Sequence, residues 1–221
     1  MNRIEYKGLE VETNAPIEEL AAQAEDGTNR SAFLKRAAIF GGGVAAVASG
    51  SMAFPAASHA SKASDIEILN FALTLEYLES TFYAIGFDKA PLDARSKRLA
   101  KVIRDHELAH VKALVSTIQS LGGNPVKKPK FNFNPDQLYS SQQAFLQTAM
   151  ALEDTGVSAY NGAGPALTLV PVKKAAASIV AVEAMHASWV RGVAGTAPAP
   201  LAFDQALTVD QVLAIAKPFF G

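Results

Sequence analysis

The residue types that the sequence lacks exclude several classes of protein. The 221 residues contain no cysteine, which excludes disulfides, iron–sulfur clusters and a cysteine-ligated rubredoxin-type module. The 20 basic and 21 acidic side chains leave a formal net charge of −1, so no basic surface argues for binding to nucleic acid. With 49% hydrophobic residues, the chain has enough apolar side chains for one substantial core.

The first 63 residues have the pattern of a polar extension followed by an export signal. A polar and acidic stretch (1–29) precedes a basic segment, a soft apolar run (37–54) and small residues. Residues 29–35 resemble a twin-arginine signal in which Ser31 replaces the second arginine, so the twin-arginine and Sec routes both stay open. Three consecutive glycines interrupt the run and disfavour a permanent membrane span. We therefore predict an exported protein, periplasmic or extracellular, that is membrane-tethered only if the signal is retained.

Glutamate is scarce after residue 63, and four of its six occurrences form a repeated pattern with histidine. Glu-x-x-His occurs twice, at Glu107 and at Glu183, and each copy follows a lone glutamate, Glu76 or Glu153. The separations are 31 residues in the first half and 30 in the second. Residues three apart on a helix share a face, so each Glu-x-x-His can direct two side chains to one point.

The spacing of the glutamates is that of two antiparallel helix hairpins. The midpoint of Glu76 and Glu107 falls at Pro91, and the midpoint of Glu153 and Glu183 falls at Thr168, between a Gly-Pro pair and a further proline. Residues equidistant from a turn lie at the same height of a hairpin. Each glutamate is about 15 residues, or roughly 23 Å, from its turn, so both pairs belong deep in a bundle.

Helical phase places the four glutamates in apolar stripes. The stripes read Leu69, Leu73, Glu76, Ser80, Tyr83, Phe87; Leu99, Ile103, Glu107, His110, Leu114, Ile118; Leu146, Met150, Glu153, Val157, Tyr160; and Ile179, Glu183, His186, Val190, Val193. Buried carboxylates need partners, and bound metal would supply them. The alternative is a polar network of protonated glutamates and histidines, which would bring four carboxyl groups together without a cation.

From residue 64 to residue 221 the pattern predicts a single all-α domain. We expect four long helices at 64–86, 92–121, 137–162 and 171–194, with a long connection over 122–135. A Pro-rich break at 197–200 follows. A short final helix should begin near Thr208 and end near Pro218.

These motifs, with the segments Leu69–Glu79 and Glu153–Ala163, resemble the ferritin-like superfamily of carboxylate-bridged dimetal proteins. The closest likeness is to the secreted ferritin-like group, which includes desiccation-related and stress-response proteins. The resemblance implies a ferritin-like four-helix bundle of two antiparallel hairpins, joined by a long crossover between helices two and three.

The resemblance also implies a role for each residue of the pattern. Bridging ligands would be Glu107 and Glu183, terminal ligands Glu76 and Glu153, and histidine ligands His110 and His186, with Tyr83 and Tyr160 flanking them. Oxygen and imidazole ligands without thiolate suit two iron or two manganese ions, and zinc is also compatible. Dioxygen or peroxide would be the small-molecule substrate, and a homo-oligomer is compatible with this reading.

Two classes of function follow from the resemblance. One is an oxidoreductase of the ferroxidase or manganese-catalase type, acting in stress defence. The other is a non-enzymatic desiccation or stress protein whose metal is structural. An iron-storage cage is a further hypothesis beside these two.

Neighbouring polar residues offer weaker candidates for the site. We expect Glu79 to be partly exposed, with an additional metal ligand as the alternative. His106 is expected either behind the site or on the surface. Asp105, Asp154 and Arg104 are candidates for orienting the ligands, and Trp189 is expected to pack in the core.

Overall fold

The computed structural model describes residues 62–221, and the expected export signal lies outside this range. Six α-helices occur in it: α1 (Lys62–Lys89), α2 (Ala94–Ser120), α3 (Pro135–Leu138), α4 (Gln142–Ala163), α5 (Val170–Ala194) and α6 (Val209–Ala216). Short 3-10 turns follow α4 (Gly164–Ala166) and α6 (Lys217–Phe219). These residues contain no strand, only one isolated bridge between Phe131 and Phe220, so the all-α expectation is confirmed.

The four long helices form two hairpins that pack face to face. The main contacts join α1 to α2 and α4 to α5, and further contacts join α1 to α4 and α2 to α5. The apolar stripes meet at the centre, where Leu73, Leu99, Ile103 and Val190 are fully buried. Within residues 62–221, none of the helices is both long enough and apolar enough to span a membrane.

The helix bounds differ from the expected ones where capping side chains act. Asp93 accepts a hydrogen bond from the Ser96 N–H at 2.7 Å, so α2 begins at Ala94 rather than at 92. The expected helix at 137–162 was wrong in its first turn. Residues 135–138 form the separate helix α3, and α4 begins only after Ser141, whose hydroxyl accepts from Ala144 N–H at 3.1 Å.

The C-terminal segment crosses α4 and then meets the long connection between the hairpins. A Cβ on Gly162 would lie 2.0 Å from the Leu207 carbonyl oxygen, so only glycine permits this crossing. Thr208 forms a capping box with Gln211, and α6 starts where expected. The last residues then pair with the connection, since Asn132 N–H donates to Phe219 O at 2.8 Å.

Candidate metal centre

Two glutamates and two Glu-x-x-His pairs converge in the middle of the bundle. The carboxylate–histidine cluster consists of Glu76 from α1, Glu107 and His110 from α2, Glu153 from α4, and Glu183 and His186 from α5. The four carboxylates are completely buried, and His186 is buried with them. His110 keeps 12% of its side chain exposed. The hairpin geometry predicted from sequence therefore brings all six residues together.

The cluster divides into two overlapping groups of possible ligands. One comprises Glu76, Glu107, His110 and Glu183, and the other comprises Glu107, Glu153, Glu183 and His186. Within each group, one ligand atom from every residue lies within 4.8 Å of the others. Glu107 and Glu183 belong to both groups, which is the placement that a carboxylate shared between two cations requires.

Both histidines face the carboxylates with Nδ1. His110 Nδ1 lies 3.2 Å from Glu76 Oε2, 3.2 Å from Glu107 Oε2 and 3.0 Å from Glu183 Oε1. His186 Nδ1 lies 3.0 Å from Glu107 Oε1 and 3.3 Å from Glu153 Oε2. Each imidazole thus approaches one carboxylate that belongs to a single group and at least one that belongs to both.

Several of these buried polar atoms have no hydrogen-bond partner. They are Glu107 Oε1, Glu153 Oε2, both oxygens of Glu183 and His186 Nδ1. Although His186 Nδ1 approaches two of these oxygens, the contacts lack hydrogen-bonding geometry. Leaving buried donors or acceptors unpaired is costly, and a cation would satisfy all of these atoms at once. The donor set therefore fits a metal with oxygen and imidazole ligands.

Electrostatics in the metal-free cluster favour bound protons. Burial, and then the charges of Glu183 and Glu76, raise the pKa of Glu107 well above its usual range. Burial and the charge of Glu76 raise the pKa of Glu183 to about 8. For His110, burial alone would lower the pKa, but hydrogen bonds to the surrounding glutamates raise it to about 12. Cation binding would therefore compete with protons.

Two tyrosines connect the hairpins through the carboxylates of Glu76 and Glu153. The Tyr83 hydroxyl of α1 donates to Glu153 Oε1 of α4 at 2.5 Å, and the Tyr160 hydroxyl of α4 donates to Glu76 Oε1 of α1 at 2.6 Å. Burial and the adjacent glutamate raise the pKa of both hydroxyls well above the usual range, so each remains a donor. The structure therefore places Tyr83 and Tyr160 as hydrogen-bond partners of the cluster.

Glu79 is a fifth buried carboxyl group, and the expectation that it would be partly exposed was wrong. Only 3% of the residue is exposed. It faces Gly156 of α4, where a Cβ would lie 3.0 Å from Glu79 Oε1 and 3.2 Å from Glu183 Oε2. Burial, and then the charge of Glu183, raise the pKa of Glu79 well above its usual range. The missing side chain at position 156 leaves room for this carboxyl group.

The i, i+3 relation of Glu79 to Glu76 could have revealed this burial from sequence. No sequence signal pointed to Gly156, because its role depends on a side chain from another helix.

The remaining sequence candidates divide between the cluster and the surface. His106 is exposed, yet its Nδ1 lies 2.9 Å from His186 Nε2, and the two ring planes are inclined by 21° with centroids 5.1 Å apart. Trp189 packs partly buried against the core, as expected.

The suggestion that Asp105, Asp154 and Arg104 orient ligands was wrong. Asp105 binds Lys101 and Arg104, and Asp154 binds Arg191, so the hydrogen bonds of these side chains go to partners outside the cluster.

Fold and cluster together define an all-α four-helix protein with a carboxylate–histidine centre. The family model described as a ferritin-like domain matches residues 64–196, and the chain belongs to this family. Among solved structures, it is similar to a conserved hypothetical protein from Mycobacterium tuberculosis, with 17% identity and a TM-score of 0.54. That alignment covers 65% of this chain and 99% of the other, and at this identity it speaks for the fold alone. A comparison with curated proteins found no match.

Proposed function

We propose that the chain is a ferritin-like protein with a di-iron or di-manganese centre that oxidises Fe(II) or handles peroxide in stress defence. The observation that carries the proposal is the sharing of Glu107 and Glu183 between two groups of ligands. Four carboxylates would balance the charge of two divalent cations. Bundles with one glutamate from each of two helices and Glu-x-x-His from the other two are built for such a pair.

Each residue of the cluster has a distinct part in this proposal. Glu107 and Glu183 would bridge the two positions, and Glu76 with His110, or Glu153 with His186, would complete one position each. Iron or manganese bound there would supply the redox couple and the Lewis acidity that dioxygen or peroxide chemistry needs.

The tyrosines support the assignment of Glu76 and Glu153 as terminal ligands. In each glutamate, Oε1 accepts the tyrosine hydroxyl, whereas Oε2 lies 3.2 or 3.3 Å from a histidine Nδ1. The hydrogen bond therefore occupies one oxygen and turns the other toward the ligand group. Burial of the four carboxylates keeps bulk water away from this arrangement.

The proposal includes an exported location for the protein. The basic, apolar and small-residue segments before residue 64 favour export, and the motifs around Glu76 and Glu153 favour the secreted stress-response group. A centre outside the cytoplasm would meet dioxygen or peroxide directly.

A structural role for the metal is the second candidate. Glu79, Glu107 and Glu183 all have raised pKa values because they are buried among like charges. Cations that neutralise these groups would join all four long helices and stabilise the bundle even without turnover. This reading shares the ligands of the first and differs only in reactivity.

Metal analysis of natively purified protein is the first test. Wild-type protein should contain about two iron or manganese ions per chain, Glu107→Ala should lose both, and His110→Ala or His186→Ala should each lose one. Glu67→Ala, a half-buried glutamate of α1 outside the cluster, is the control and should retain both. Failure to bind Fe(II) or Mn(II), even after anaerobic loading, would contradict the metal centre.

Measurement of dissolved oxygen then separates the two candidates, because oxidation of Fe(II) by dioxygen consumes it and disproportionation of peroxide releases it. Addition of Fe(II) to the metal-free protein, or of peroxide to the manganese form, should produce catalytic turnover if the centre is an oxidoreductase. Bound metal with large thermal stabilisation but without turnover would favour the structural role.

A further inference from the structure

His106 makes the two ends of the cluster chemically different. The Nδ1 atom of His106 lies 2.9 Å from Nε2 of His186. The other nitrogen of the His186 ring, Nδ1, faces Glu107 and Glu153. The His186 ring therefore lies between an imidazole on one side and carboxylates on the other. Because His186 is buried and His106 is exposed, His106 covers the solvent side of this ring.

The other half of the bundle has no imidazole at the matching place. His106 is four residues before His110 on α2, and the position four residues before His186 on α5 is Val182. A valine side chain can neither donate nor accept a hydrogen bond. The two Glu-x-x-His motifs are alike in their ligands, but only one half of the bundle supplies an imidazole partner.

We propose that His106 is a positioning residue that holds His186 in the tautomer with a free Nδ1, so that the metal position at His186 and Glu153 binds its ion more tightly. The inference rests on the proposed metal centre. It assigns the two positions a filling order, with the His186 position first and the His110 position second.

The direction of the hydrogen bond follows from what Nδ1 must do. A nitrogen that binds a cation cannot carry a proton, so His186 must keep its proton on Nε2. That N–H points to His106 Nδ1, which accepts it, and His106 then carries its own proton on Nε2 at the exposed side. Such a partner fixes the ring orientation and increases the basicity of the ligating nitrogen.

A titration with Co(II), followed by its visible absorption, tests the filling order. Wild-type protein should show two unequal binding steps, and His106→Ala should weaken the tighter step about 10- to 100-fold while leaving the other in place. His106→Asn places an amide oxygen near the position of Nδ1 and should restore most of the affinity. Val182→Ala, at the matching position on α5, is the control and should leave the tighter step unchanged.

Nitrogen NMR of the Zn(II)-loaded, ¹⁵N-histidine-labelled protein tests the tautomer directly. In wild-type protein, His186 should show a metal-bound Nδ1 and a protonated Nε2, and the Nε2 proton of His186 should lose its hydrogen-bonded shift in His106→Ala. A general loss of stability would not produce this change at one ring.

Each result bears on the inference. Two steps of wild-type affinity in His106→Ala, with an unchanged His186 signal, would overturn the role of His106 and leave the metal centre standing. Absence of Co(II) binding by wild-type protein would overturn both proposals. Weakening of the tighter step in His106→Ala, recovered in His106→Asn, would establish the role.

Discussion

Tyr83 and Glu153 form a buried hydrogen bond of 2.5 Å that joins the first hairpin to the second. Its counterpart, from Tyr160 to Glu76 at 2.6 Å, runs in the opposite direction between the same two helices. Each tyrosine thus orients the glutamate of the other hairpin. The hairpins are therefore held together at the height of the cluster by polar contacts as well as by apolar packing.

Removing one of these hydroxyls should weaken both the bundle and the cluster. Tyr83→Phe leaves Glu153 Oε1 buried without its donor, so the metal-free protein should lose about 1–3 kcal/mol of unfolding free energy. Metal affinity should fall at the position that contains Glu153, as measured by Co(II) titration. Tyr139→Phe is the control, because the Tyr139 hydroxyl donates to the Phe82 carbonyl and not to the cluster. Equal metal affinities in Tyr83→Phe and wild type would contradict the orienting role.

Replacing Gly156 with alanine should change stability differently from the same substitution at a glycine that has no side chain beside it. Alanine in a helix interior is favoured over glycine by about 1 kcal/mol, but a Cβ at position 156 would crowd Glu79. We expect Gly156→Ala to gain little or no stability in the wild-type background and to gain more when Glu79→Ala removes the nearer of the two carboxyl groups that a Cβ would meet. Urea unfolding of the double-mutant cycle measures this coupling.

Gly192 is the matched control for this cycle. A Cβ there would meet nothing within 4 Å, so Gly192→Ala should give the same gain in both backgrounds. If Gly156→Ala raised the unfolding free energy equally with and without the Glu79 side chain, the close approach of Glu79 to position 156 would not affect stability.

The metal-free protein should lose stability as the pH rises. A raised pKa means that the folded state binds protons that the unfolded chain releases, so this stability is complete below about pH 4.5. For Glu183 it is lost as the pH rises through about 8. His110, with its pKa raised from 6.5 to about 12, adds to the same trend above pH 6.5. Urea unfolding between pH 5 and 8.5, in the presence of a chelator, should show the decline.

Two comparisons locate the origin of this pH dependence. Glu107→Gln removes one buried acid, so its decline with pH should be shallower than that of wild type. In wild-type protein, stabilisation by added Mn(II) should grow over the same range, because the cation no longer displaces protons. Metal-free stability that stays constant or rises with pH would mean that the buried carboxyl groups do not hold protons in the folded state.

Asp65 should be essential for the closed bundle although it lies outside the cluster. Its carboxylate is fully buried and accepts hydrogen bonds of 2.9 Å from the backbone and hydroxyl of Thr168 and from Leu169 N–H. Asp65 thereby joins the start of α1 to the turn between α4 and α5.

Asp65→Ala should lower the unfolding free energy by about 2–4 kcal/mol, because the turn loses a charged acceptor that water cannot replace. Thermal or urea unfolding measures the loss. Asp88→Ala, an exposed acidic residue of α1, should change it by less than about 0.5 kcal/mol. A comparable effect of both substitutions would argue against the anchoring role.

Much of this architecture could be read from the spacing of a few residues. The equal intervals around Pro91 and Thr168 predict two hairpins, and the apolar phase of the four glutamates predicts their burial, because helix periodicity is a local property. The cluster of Glu76, Glu107, His110, Glu153, Glu183 and His186 follows from these two facts. The choice of metal remains a prediction.

The pairing across helices was decided only by the tertiary structure. Tyr83 bonds Glu153 rather than the nearby Glu76, Glu79 occupies the space left by Gly156, and His106 contacts His186. Each contact joins residues between 70 and 80 positions apart, and it depends on how one hairpin is rotated and shifted against the other. Periodicity determines which face of each helix is buried, whereas the packing of side chains in three dimensions selects the partner that each face meets.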